Sequence, residues 1–232
     1  MNYTTICDIR NQYFMAPFTY DQEAVDTLEA TLSTERLSSY LRQTKGEKQL
    51  ALELYLWNVS LSESLYGPLQ ILEVTMRNSI NRELRSKFGD EWYKNQRPVL
   101  FQERQHDRIA SAVNGFDKSR PITLSDIVAS VSFGFWTDIL YFKVYDNLWN
   151  GCLHRAFPHR AKGTRRSSIG PVVDNLRTLR NRIAHHEPIW NHPLDRQHQR
   201  IIEIISWSCP VAAKWTESHS RFDETWKQKP EF

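Results

Sequence analysis

The densest run of chemically capable side chains is Leu179-Arg180-Asn181-Arg182-Ile183-Ala184-His185-His186-Glu187-Pro188. Arginine grips phosphate oxygens in a fixed fork, and imidazole exchanges protons near neutral pH. Placed on one surface, the two can act on an RNA phosphodiester without a metal. The ribose 2′-hydroxyl supplies the nucleophile. A neutral His removes its proton, or a charged one protonates the leaving 5′-oxygen, while Arg stabilises charge growing on the phosphoryl oxygens. Asn181 is a candidate to hydrogen-bond the His185 ring and fix its tautomer. The ordinary alternative for such a string is a helix cap or an interface contact.

A helix must position these groups. At about 100° per residue, Val172, Leu176, Leu179 and Ile183 form one apolar stripe, which predicts the buried side. His186 flanks that seam. Arg177, Asn181 and His185, spaced by four, stack on the opposite side, and Arg180 stands beside that row. A helix opened by Pro171 and ended at Glu187-Pro188 would carry the whole set, since the residue before proline is biased away from helical backbone. Near a helix C-terminus the dipole favours a charged His185, whereas Arg180 and Arg182 oppose it; the spacing leaves that balance open.

Glu73, Arg77 and Asn78 make a second polar cluster on another predicted helix, with Glu73 and Arg77 read as an i,i+4 ion pair that clamps structure. Charge is also unevenly spread. The chain carries a net +3, yet residues 151–200 hold ten Lys and Arg against three acids, with six of the eight histidines. Such an excess is the footprint of a phosphate-rich partner or of a solvated basic face. Arg160, Lys162, Arg165 and Arg166, in a basic connection over 158–170, together with Arg177 and Arg182, are expected to steer RNA. His154, His159, His192 and His198 are irregularly spaced with no matching carboxylate pair, so no metal or cofactor is expected and a metal-dependent phosphohydrolase is the weakest reading. No motif supports a Ser or Cys nucleophile.

The rest of the chain reads as scaffold. Its 232 residues are 40% hydrophobic and 12% aromatic, ample for a buried core. No repeat, low-complexity tract or strand alternation interrupts the helical patterns, which predicts one all-α domain over 1–232 with its core at about 20–210. Helices are expected over Tyr20–Leu41, from Lys48 to the Gly67-Pro68 break, from Pro68 to Gly89, at about 101–113, and after a Thr123/Asp126 capping box. The run IVASVSFGFWTDIL predicts two buried pieces hinged at Phe133-Gly134. One or two further helices should fill 194–218, with a loose tail after Ser220. No apolar run approaches the roughly 18 residues of a membrane span. The N-terminus lacks a signal pattern, and the three cysteines form neither a metal spacing nor an even disulfide set; a cytoplasmic protein is expected.

The segment Leu179–Asn191 (LRNRIAHHEPIWN) resembles the C-terminal signature of the Abi-like family of bacterial abortive-infection proteins, within the HEPN superfamily. Leu37–Leu84 is similar to the family's N-terminal helices, with the E-x3-R-N element at Glu73, Arg77 and Asn78. Ser132-Phe133-Gly134-Phe135-Trp136 matches the central motif, and Asn147-Leu148-Trp149 with His154–Pro158 matches the stretch after it. The resemblance covers about residues 20–210. It implies a HEPN-like helical bundle with additional helices, which dimerises and joins two R-x4-6-H motifs into a composite, metal-independent RNA-cleaving site. It also implies a role in phage defence, often organised as a toxin–antitoxin pair. Arg180 is then the motif arginine, Asn181 the polar residue after it, and His185 the R-x4-H histidine; His186 also satisfies the looser range. The implied partners are RNA, a second copy of the chain and an antitoxin or regulatory protein, with no membrane. HEPN domains that have lost activity leave a second reading, a non-catalytic RNA- or protein-binding module.

Overall fold

The computed structural model describes residues 18–94, 100–117 and 119–231. Among them all regular structure is helical, in eleven α-helices and three short 3-10 turns, so the all-α expectation holds. No helix among the described residues is long and apolar enough to cross a membrane. The contacts gather into two compact units, one running to Leu56 and taking in the chain end from Pro230, the other spanning Trp57–Lys229.

The first unit opens with α1, Gln22–Leu32, and α2, Thr34–Gln43. One helix was expected here. Ser33 breaks it by adopting φ 71°, and its hydroxyl accepts the Arg36 N–H at 3.3 Å, so the residue that ends α1 also caps α2. Val25, Leu37 and Tyr40 are buried, and the Tyr40 ring meets Tyr55 edge-on at 5.3 Å. Lys48 ties back to Asp26 and Glu29 at 3.0 and 2.7 Å.

Lys48 begins α3, Lys48–Phe88, whose residues from Trp57 onward belong to the other unit. The expected interruption at Gly67-Pro68 does not occur. Proline inside a helix costs about 3 kcal/mol through its missing N–H and its ring clash. Here Gly67 has no Cβ for the ring to strike. The buried stripe Leu61, Leu65, Leu69, Leu72, Met76, Ile80 and Leu84 also runs through the site in unbroken register. At about 1.5–3 kcal/mol per buried side chain, continuity outweighs the lost bond.

After α3, Trp92 in the 3-10 turn Trp92–Lys94 is buried in an aromatic cluster with Phe101, Phe135 and Trp136, ring centroids 4.9–6.2 Å apart. Next come α4, Glu103–Asn114, and α5, Leu124–Ser130, which starts on the expected capping box of Thr123 and Asp126. The hinge then falls at Val131-Ser132, ahead of the expected place, and α6 is Phe133–Tyr141. Phe133, Phe135, Trp136, Ile139 and Leu140 are all buried, as suits a helix apolar all round. The remaining elements are α7, Asp146–Gly151; α8, Arg166–Ala184; α9, Leu194–Ser208; and α10, Pro210–His219.

The central packing is α6 along α8. A Cβ on Gly170 would lie 2.5 Å from the Leu140 carbonyl oxygen and 2.8 Å from Tyr141 Cα, both backbone atoms with nowhere to retreat. Position 170 has to be glycine at this separation. The tail expected to be loose instead forms α11, Phe222–Lys227. Phe222 stacks on His198 at 4.6 Å and on Trp226 at 5.7 Å, and Trp57 Nε1 donates to the Thr225 carbonyl at 2.8 Å. The i,i+4 spacing of Phe222 and Trp226 is the signal that marks this last helix.

Two outcomes are expected. Gly170→Ala gains about 1 kcal/mol of helix propensity but overpacks the α6–α8 contact against immovable backbone, at the upper end of the roughly 1–3 kcal/mol such overpacking costs, so the unfolding free energy from urea titration should fall by a net ~1–2 kcal/mol; a stabilised variant contradicts this packing. Burial pushes the His198 imidazole below its ordinary value, with Asp223 and Glu217 opposing. The folded state therefore binds this proton less tightly than the unfolded chain. Its contribution to stability is complete above the ordinary histidine value of 6.5 and is lost as pH falls below it. His198→Gln should flatten that acid limb in urea midpoints measured from about pH 5 to 8, and an unchanged limb refutes the assignment.

Candidate functional site

α8 begins at Arg166, inside the stretch expected to be a flexible connection, and Pro171 lies within its second turn. Its buried side is Ile169, Val173, Leu176, Leu179 and Ile183, the expected stripe except that Val173 replaces the half-buried Val172. The helix ends at Ala184, before the expected Glu187-Pro188. His185 caps it, its N–H bonding the Asn181 carbonyl at 2.9 Å. His186 takes a left-handed conformation, φ 56°, with its N–H on Ile183 O at 3.1 Å, and the Glu187 N–H reaches Arg182 O at 2.8 Å. This paired pattern is a Schellman ending, with histidine in the place glycine usually takes. Beyond it, Asn58 Oδ1 accepts the N–H groups of Ile189 and Trp190 at 2.7 and 3.1 Å, which pins the chain leaving the helix to α3.

α3 and α8 together enclose a cleft of about 340 Å³. Tyr66, Gln70, Glu73 and Arg77 line it from α3, Arg180 and Ile183 from α8. Arg180 Nε stands 3.6 Å from Glu73 Oε2, with the arginine side chain 44% exposed. Arg77 Nε is buried with no hydrogen-bond partner. The i,i+4 pair expected between Glu73 and Arg77 is therefore replaced by an ion pair across helices, Glu73 to Arg180. A guanidinium entering from α8 can align along the carboxylate, while Arg77 turns into the cleft wall. Asn78 is exposed and lies outside the lining.

His185 and His186 are exposed at the end of α8, next to Ala184 on the cleft rim, and neither lines it. Asn181 contacts His185 through its backbone carbonyl alone; no side-chain bond joins amide and ring, because the cap turns the histidine out of helical register.

The expected RNA-steering residues divide. Arg166 is buried at 5% exposure, its Nε donating to Asp146 Oδ1 at 2.5 Å and its Nη1 to the Leu140 and Tyr141 carbonyls at 2.9 and 2.5 Å. Arg160 Nη1 donates to the carbonyls of His154 and Phe157 at 2.6 and 2.8 Å, and its guanidinium lies 5.5 Å from the Trp149 ring centre. Both are structural: Arg166 supplies donors to two carbonyls at the end of α6, and Arg160 adds a second donor to carbonyls that already hold turn hydrogen bonds. Arg177 is chelated by Asp174 within its own helix, at 2.9 and 2.6 Å, and Arg182 faces Glu187 at 3.3 Å. Lys162 and Arg165 remain exposed.

Among the described residues no group of three or more His, Cys, Asp or Glu is placed to hold a metal ion. His154 Nδ1 is bonded to the Trp149 carbonyl at 3.0 Å and His198 Nε2 to Ser220 Oγ at 2.9 Å. Tyr66 and Gln70 are cleft residues that sequence reasoning missed. With Glu73 and Arg77 they fall at i, i+4, i+7 and i+11 on one side of α3, a spacing hidden by the expected break at Gly67-Pro68. No protein-family model, curated protein or solved structure matches the chain.

Arg166→Ala should destabilise the protein by about 3 kcal/mol in urea unfolding, since it strips two carbonyls of their donor. Lys162→Ala should stay within about 0.5 kcal/mol of the parent. Equal effects would contradict this division of the basic segment.

Proposed function

We propose that the chain is a metal-independent endoribonuclease of the Abi-like, HEPN kind, acting in the cytoplasm as a homodimer in phage defence, with an antitoxin or regulatory protein as its natural restraint. The observation that carries this reading is the meeting of Glu73 with Arg180. Glu73 and Arg77 of the E-x3-R-N element and Arg180 of the R-x4-H element lie about a hundred residues apart in sequence and line one cleft.

In this mechanism Arg180 contacts the scissile phosphate and stabilises the charge that builds on its oxygens. Glu73 orients that guanidinium and yields it when the more charged phosphate arrives. His185, exposed at the rim, takes the proton from the 2′-hydroxyl; the 2′-oxygen bonds to phosphorus and the P–O5′ bond breaks. The leaving 5′-oxygen needs a proton from the other side, and the His185 of a second copy supplies it. Asn181, free of the His185 ring, meets the substrate. Products carry 2′,3′-cyclic phosphate and 5′-hydroxyl ends.

The second reading, a non-catalytic RNA- or protein-binding module, is favoured by one feature: His185 does not line the cleft that holds Arg180. The two separate in one assay. With EDTA present, the nuclease should cut RNA, and His185→Ala and Arg180→Ala should each slow cutting by about 10²-fold or more. Intact RNA with the parent protein, or cutting that is indifferent to His185→Ala, sinks the nuclease. Weaker binding by Arg180→Ala with no change in RNA integrity would establish the module.

A further inference from the structure

Three residues before Arg180 on α8, Arg177 lies within electrostatic reach of Arg108 on α4. α6 and α8 run antiparallel, with Gly170 against Leu140 and Tyr141 at one end. At the other end the Arg108 guanidinium lies over Gly134, its Nη1 3.3 Å from where a Cβ would sit. One turn along α6, Asp138 is buried, 4% exposed, beneath two arginines of α4: Arg108 at 3.0 Å and Arg104 at 3.5 Å. The first approach is ionic only, for Arg108 Nη1 has no aligned hydrogen-bond acceptor. Burial holds the Arg108 guanidinium below its ordinary value; Asp138 opposes this, while Arg104 and Arg177 add to it. Arg177 of α8, itself paired with Asp174, is close enough to repel them, so three guanidiniums share two carboxylates and the row keeps a net positive charge.

The row ends in a hollow of about 320 Å³ lined by Gln102, Arg104, Phe142, Lys143, Val144 and Tyr145. Its floor is fixed. The Tyr145 hydroxyl donates to Gln105 Oε1 at 2.5 Å and accepts the Gln102 N–H at 3.2 Å. Its rim is aromatic and open. Phe142 is 38% exposed and Tyr141 42%, their rings edge-to-face at 5.3 Å. A row of cations ending at a pair of exposed rings suits a single-stranded nucleic acid, whose phosphates take the charges while an unpaired base stacks at the end. A duplex hides its base faces.

We infer that Arg177, Arg108 and Arg104 form a track leading from Arg180 to the Phe142–Lys143 hollow, on which single-stranded RNA lies with its phosphates on the arginines and a base stacked at Phe142. This deepens the ribonuclease reading and rests on it for the choice of RNA over other polyanions. From Arg180 back to Gly170 is ten residues of helix, roughly 15 Å at 1.5 Å per residue, room for about four stacked nucleotides at 3.4 Å each. The track differs from the Arg160–Arg166 stretch favoured by charge counting, where Arg160 and Arg166 spend their donors on backbone carbonyls.

Binding is measured by fluorescence anisotropy with full-length His185→Ala protein and a labelled oligouridine, so that cutting does not intrude. Phe142→Ala should weaken the single strand by about 5- to 50-fold and barely change a blunt RNA duplex of equal length. Arg104→Ala with Lys143→Ala should lower the slope of log affinity against log salt by about 1.4, the value for two phosphate contacts, and Arg104→Lys should restore most of its share. All these side chains are exposed, so the fold should survive. Unchanged binding in these variants, or a duplex equally dependent on Phe142, overturns the track. RNA held through these residues but never cut by the parent protein sinks the nuclease and leaves the track standing. RNA cut with Kd and KM indifferent to these substitutions does the reverse.

Discussion

With no side chain at position 170, α8 backs onto α6 so closely that backbone meets backbone, and Arg166 fastens the join by donating to the two carbonyls that end α6. That contact fixes α8 in rotation as well as in place. Once Ile169, Val173 and Leu176 face the interior, helical geometry decides where Arg177 and Arg180 emerge. A rotation by one residue would swing Arg180 away from Glu73 and Arg177 away from Arg108. The cleft and the arginine row are thus consequences of one tight helix pair.

The long α3 plays the matching part. Because it passes Gly67-Pro68 unbroken, Tyr66, Gln70, Glu73 and Arg77 stay on one line and face α8 as a wall. The same helix holds the far end of the site through Asn58, whose side-chain Oδ1 takes two backbone donors just after the histidines. The exposed His185 therefore sits between two anchored points, the α8 cap and the Asn58 clasp. The proton transfer proposed for His185 needs a fixed perch, and this arrangement supplies one without burying the ring.

The helical class, most of the buried stripes and the Thr123/Asp126 capping box were legible because apolar spacing and cap chemistry are local. The continuity of α3 was not, since proline is a strong local breaker and only the tertiary burial of the flanking leucines overrides it. The ionic partner of Glu73 was equally hidden. An i,i+4 arginine at Arg77 satisfied the local rule, while the true partner lies on another helix. Basic residues at 160 and 166 looked alike to Lys162 in a charge count, yet two of them meet carbonyls whose exposure depends on where helices end. The Arg180–His186 string was found by residue type, but its split between cleft and rim required the actual position of the cap.

The central claim is that Arg180, held by Glu73 at the α3–α8 cleft, is the group that receives RNA phosphate. Its most direct test is the set of arginine Nε–H signals in ¹⁵N NMR spectra, followed as an uncuttable 2′-O-methyl RNA is added. The account predicts a progressive shift of the Arg180 signal, with the buried Arg166 signal unmoved. A titration that leaves Arg180 in place while RNA demonstrably binds would contradict it.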